Sequence, residues 1–219
     1  MELKYKNWKE ISINTFKKLQ EVISDVPVTD DETLNTINNN IAMLSVLCDV
    51  DEDAIASLTT TEYIRLVDES VFLSEMPKVK VTDKYIINGN EYEVFLSLKN
   101  MSVAQYIDFQ TFYKEQDKYY RELLACFLIP KGMKYGEGYD MDKVVADIGE
   151  HLSIVDANSI MFFFVLLYRS LTKVTINCSI KDMKKMMRKE KNKEQRMKIQ
   201  QAIREMMKAR DLVDGNGFI

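Results

Sequence analysis

"KYIINGNEYEVFLSL", residues 84–98, is the one stretch that reads as β-structure in a chain that otherwise reads as helix. Asn88-Gly89 is a two-residue hairpin turn, because both residue types tolerate φ > 0. After it Tyr92, Val94, Leu96 and Leu98 alternate with Glu91, Glu93 and Ser97, the period-two pattern of a strand with one buried face. A lone hairpin is marginal in water, so it must pack on helices or gain a third strand, for which Val79–Val81 is the candidate. The hairpin makes the class α+β rather than all-α.

On its N-terminal side, Ile13, Phe16, Leu19 and Ile23 fall near helical spacing within residues 9–24. Leu34, Ile37, Ile41, Leu44 and Leu47 do so within 32–48, behind an Asp/Thr cluster that can cap the helix. "TTTEYIRLVDESVFLSEMP" adds a helix with a Thr N-cap and Glu62 in its first turn, limited by Pro77. After the hairpin, Ser102 caps a helix that places Val103, Tyr106, Ile107, Gln110 and Tyr113 on one side. "KYYRELLACFLIP" predicts another helix, ended by Pro130, and residues 131–140 form a glycine-tyrosine loop. Residues 141–151 and 156–172 predict two more helices.

The second of these holds "SIMFFFVLLYRS", residues 159–170. Ile160 to Tyr168 is nine residues without a charge, short of the roughly 17–20 a bilayer span needs, so no membrane crossing is expected. Three consecutive phenylalanines, 162–164, cover most of a helix circumference. That predicts a central core helix enclosed by protein on several sides.

Composition agrees with a folded, helix-rich chain. Of 219 residues, 46% are apolar and 29% charged, with only seven glycines and three prolines to interrupt helices. Thirteen methionines suit irregular cores and adaptable contact surfaces alike. No secretory signal is visible at the start, and Cys48, Cys126 and Cys178 form no CxxC pair; reduced thiols in a cytosol are expected.

A net charge of −4 conceals a division. Residues 173–210 carry thirteen Lys/Arg against four Asp/Glu, a local +9, while residues 1–172 carry −11. The expected organisation is therefore a helical body, 1–172, with its hairpin near 84–98, and a basic C-terminal helical arm, 173–219. Ser179–Leu212 contains neither Gly nor Pro and predicts one helix of about 30 residues, roughly 45 Å long, with a helical hairpin as the alternative. Ile180, Met183 and Met187 share one face of the arm, and Ile199, Ile203 and Met206 another; these six are the candidate partner-binding residues.

Catalytic patterns are weak. Gly132, Gly136 and Gly138 lack the GK[ST] ending of a phosphate loop. His151 is the only histidine and reads as a helix-end residue favoured by the dipole. Asp49, Asp51 and Asp53 lack the Gly and Glu of a calcium loop. No catalytic, metal-binding or cofactor-binding residue is expected, no cofactor, and no enzymatic activity. Nucleic-acid binding by the arm is disfavoured, since no aromatic lies within 173–210 for stacking.

Several segments in order resemble the tail assembly chaperones of long-tailed bacteriophages. They are "NWKEISINTFKKLQEV", "IAMLSVLCDVDEDAIASLTTTEYIRLV", "YIINGNEYEVFLSLKNMSVAQYIDFQTF", "LLACFLIPKGMKYGEGYD" and "ANSIMFFFVLLYRS", spanning roughly residues 5–170. The resemblance implies a non-enzymatic morphogenesis protein in the cytoplasm of an infected bacterium. Its partner would be the aggregation-prone tape measure protein or another tail protein; some relatives look like baseplate or hub assembly chaperones. The basic arm lies outside the resembling segments and is expected to be a client-binding or homo-oligomerisation element. Two other functions remain open at this point, a virion structural component and a nucleic-acid-binding protein using the arm.

Overall fold

The computed structural model describes residues 3–78, 80–95 and 101–215. It is a predominantly helical α+β chain with one small antiparallel sheet. Two compact units divide after Met161, upstream of the expected boundary at 172.

The first unit opens with α1 (Ile13–Asp25) and α2 (Glu32–Cys48), the second over the range its periodicity marks. The Asp31 carboxylate accepts from the amides of Thr33 and Leu34, and Asp49 closes α2 in the left-handed conformation. A short α3 (Glu52–Ala56) leads to α4 (Thr60–Ser70), started by a capping box. There the Thr59 side chain accepts from the Glu62 amide while the Glu62 carboxylate accepts from the Thr59 amide. A 3₁₀ turn, Val71–Ser74, follows. Trp8 Nε1 donates to the carbonyls of Phe72 and Glu75, both at 3.1 Å, and its ring meets Phe72 edge-on.

The hairpin is formed by β1 (Lys84–Ile87) and β2 (Asn90–Val94), turning at Asn88 (φ 49°) and Gly89 (φ 74°). Both turn residues have the positive φ that a tight, right-twisting hairpin needs. Leu96 and Leu98 of the expected strand lie outside the described residues. The third strand is not Val79–Val81: Val79 lies outside the described residues, and Lys80 and Val81 are not in a strand. It is β3 (Leu128–Pro130), paired antiparallel with β2 through Tyr92–Pro130, Glu93–Ile129 and Val94–Leu128.

That pairing corrects the helix expected to run to Pro130. After α5 (Val103–Tyr113), α6 covers only Tyr120–Ala125. Beyond it Phe127, Leu128 and Ile129 are buried, and the chain extends to complete the sheet. Pro130, having no amide hydrogen, suits the end of an edge strand. The loop then reaches α7 (Met141–His151), capped by Asp140 and bounded as expected.

The first unit's core is Ile11, Leu44, Leu47, Ile55, Leu66, Ile87, Leu123, Leu124, Phe127, Leu128 and Ile148, each below 2% exposed. Side chains of this size contribute about 1.5–3 kcal/mol each on full burial.

The helix α8 (Ile154–Lys189) starts in this unit, where the Ser153 hydroxyl accepts from the Asp156 amide and donates to the Asp156 carboxylate. It runs on into the second unit, so the two helices expected at 156–172 and from 179 are one to Lys189. The single helix expected over 179–212 is interrupted at Glu190–Asn192. The Asn192 side chain accepts from the amides of Glu194 and Gln195 and caps α9 (Lys193–Gly215).

Candidate partner-binding surfaces

Helix α5 turns part of its apolar surface outward. Its buried residues are Gln105 and Phe109, while Val103, Tyr106 and Ile107 are 77%, 52% and 56% exposed. The polar residue is held inside by a specific bond: Gln105 Nε2 donates to the Cys126 carbonyl at 2.6 Å. Phe109 packs edge-on against Phe127. With Gln105 and Phe109 four apart on the inner face, Val103, Tyr106 and Ile107 at i, i+3, i+4 form an outward triplet. Sequence spacing grouped these three with Gln110 and Tyr113, which are half-buried, and it could not say which side faces water.

A polar cluster fixes the neighbouring loop to this helix. Tyr135 Oη donates to Asp108 Oδ2 at 2.9 Å and lies 3.7 Å from the Cys126 sulfur. Burial holds the Tyr135 phenol well above its ordinary range, aided by nearby Cys126 and by the bond to Asp108. Burial likewise pushes the Cys126 thiol from 9.0 to about 12, so it is protonated and unreactive at neutral pH. The Tyr139 hydroxyl accepts from the Gly136 amide, closing the loop on itself. Nothing here is arranged as a nucleophile with a base.

A cleft of about 620 Å³ lies beside β2, β3 and α7, lined in part by Tyr92, Tyr139, Lys143 and Asp147. Buried Asp147 accepts from Asn88 Nδ2 at 2.9 Å, and Glu91 bridges Lys84 and Lys131, each at 2.8 Å. Both carboxylates thus have partners within the protein, a neutral amide for Asp147 and two ammonium groups for Glu91. Among the described residues no group of three or more His, Cys, Asp or Glu could hold a metal ion. His151 is exposed in the last turn of α7.

The second unit corrects the enclosed core helix expected from three consecutive phenylalanines. Phe164 is 2% exposed, but Phe162 is 63% and Leu166 48% exposed. Neighbours on a helix stand about 100° apart, so burying Phe164 leaves Phe162 pointing elsewhere. Among the described residues α8 is the one helix long and apolar enough, by length and composition alone, to cross a membrane. Its unbroken apolar run is still the nine residues Ile160–Tyr168, closed by Arg169, and the continuation to Lys189 is rich in lysine.

Of the six candidate partner-binding residues, Ile180 and Ile203 are each only 7% exposed. Met183, Met187, Ile199 and Met206 are half-buried. Among the described residues of the arm, the freely exposed apolar ones are instead Val174, Met186, Met197 and Met207, none of which belongs to the two expected helical stripes. Their signal was their position among lysines and arginines, where an amphipathic reading expects only charge.

No family model, curated protein or solved structure matches this chain.

Proposed function

We propose that this chain is a non-enzymatic phage tail assembly chaperone whose outward α5 face holds an apolar segment of a tail protein, the tape measure protein first. One observation carries the reading: Val103, Tyr106 and Ile107 are more than half exposed on a helix anchored from behind by Gln105 and Phe109. An amphipathic client helix presenting its own apolar stripe would cover them, the helix-in-groove mode of recognition. The resemblance of residues 5–170 to tail assembly chaperones supplies the identity of the client class.

The test is co-expression with the long, helix-rich reading frame expected beside its gene. Wild-type chain should co-purify with that product. Val103→Asp/Ile107→Asp should reduce recovery at least about tenfold, the equivalent of about 1.4 kcal/mol. Equal recovery with the double variant refutes the α5 site, and no recovery with wild type refutes the client. Presence of the chain in purified particles would favour a virion component instead.

A further inference from the structure

The first unit carries 16 Lys/Arg against 28 Asp/Glu, a charge of −12, and the second carries 14 against six, a charge of +8. The structural boundary separates charge more sharply than the sequence division at 172. Two exposed helix faces make the contrast local.

On α9, Lys193, Met197, Arg204 and Lys208 recur at i, i+4, i+11 and i+15 and share one face about 22 Å long. All four are exposed, Met197 at 57%. Along α4 and into the 3₁₀ turn that follows it, Ile64, Asp68 and Val71 recur at i, i+4 and i+7. Ile64 is 51% and Val71 62% exposed. The surrounding segment, residues 49–75, holds eight Asp/Glu and one cation, Arg65, whose charge is already matched by Glu69 at 2.8 Å.

We propose that the basic α9 face of one copy docks on the acidic α4 face of a second copy. Each face sets exposed apolar side chains beside charge of one sign, and the signs are opposite. Burying Met197 against Ile64 and Val71 supplies apolar contact, and the charges steer the encounter and fix its direction. A phosphate-rich surface would satisfy the α9 cations, but it would leave Ile64 and Val71 in water and would be repelled by the −12 unit in the same chain. A second copy accounts for both faces. The contact is heterologous, so each added copy leaves one α4 and one α9 face open until a ring closes. This inference goes beyond the client-binding reading and stands without it, since α5 takes no part.

Light scattering on the full chain at about 100 µM, well above a micromolar Kd, should show species larger than one chain in about 0.1 M NaCl. They should dissociate toward single chains in about 1 M, where the Debye length falls from about 10 Å to about 3 Å. Ile64→Lys/Asp68→Lys and Lys193→Glu/Arg204→Glu should each weaken self-association at least about tenfold. Circular dichroism should show both still folded, as the substituted side chains are exposed. An equimolar mixture of the two variants should associate more strongly than either variant alone, because each retains the one intact face the other lacks. A wild-type chain that is monomeric in low salt overturns the proposal, as does association indifferent to salt or to either variant. A mixture that stays monomeric overturns it too. Binding of monomeric wild type to anionic vesicles or to RNA would assign the α9 face to phosphate instead.

Discussion

Replacing Gln105 with Ala should destabilise the first unit far more than placing a carboxylate at Val103, against the usual ranking of polar and apolar substitutions on a helix. Gln105 is 2% exposed, and its amide serves the carbonyl of Cys126, itself fully buried. Leaving that carbonyl without this donor costs about 1–3 kcal/mol. The space vacated by the amide adds about 1 kcal/mol. Val103 is 77% exposed, so it has less than a quarter of its burial to lose, about 0.5 kcal/mol. Val103 also follows the Ser102 N-cap directly, where an acidic side chain gains about 0.3–1 kcal/mol from the helix dipole. The expected costs are therefore about 2–4 kcal/mol for Gln105→Ala and near zero for Val103→Asp. Urea unfolding followed by circular dichroism resolves such a gap as a midpoint difference of about 1 M. If Val103→Asp proves the more destabilising, α5 faces the other way, and the client surface goes with it.

Three further expectations follow from features of the chain. Because burial raises the Cys126 thiol from 9.0 to about 12, the unfolded chain releases that proton first. Its contribution is complete below about pH 9 and lost as pH rises toward about 12, so unfolding free energy should decline over that window, with a shallower decline in Cys126→Ala. Asn192→Ala removes the α9 cap and should cost about 1 kcal/mol, seen as lost helical signal or as faster amide exchange over the first turn of α9, and no change at that turn would reject the capping role. Removing residues 179–219 should leave the first unit folded, since its fully buried side chains lie between Ile11 and Ile160, and loss of the cooperative urea transition would show otherwise.

Much of the fold was legible where the signal is local. Asp31, Thr59 with Glu62, Ser102 and Asp140 each mark a helix start through a side chain accepting from amides two or three residues on, and those starts stand where expected. The Asn88-Gly89 turn is equally self-contained, because its positive φ values are demanded by two adjacent residues. β3 was not legible for the opposite reason. Leu128-Ile129-Pro130 is three residues long and continues an apolar helical pattern; only its partner Tyr92–Val94, distant in sequence, makes it a strand. The α5 surface was half legible. Spacing collected Val103, Tyr106 and Ile107 together with half-buried Gln110 and Tyr113, but Phe109 and Phe112 give the helix a second apolar side, and the choice between sides rests on Gln105 finding the carbonyl of Cys126. The break before α9 had a local signal that was missed, since Asn192-Lys193-Glu194-Gln195 has the form of an N-cap box within a run rich in helix formers.

The tryptophan that ties the N-terminal segment to the 3₁₀ turn is the only one in the chain. Its emission therefore reports one place rather than an average. The indole lies against the Phe72 and Phe16 rings with its N–H committed to two carbonyls, and release of residues 3–10 would expose it to water and shift its spectrum to the red. The chain thus carries a built-in optical probe of whether its first residues stay docked. It can be read in unlabelled protein during a client titration, a salt series or a denaturant scan, with no residue altered.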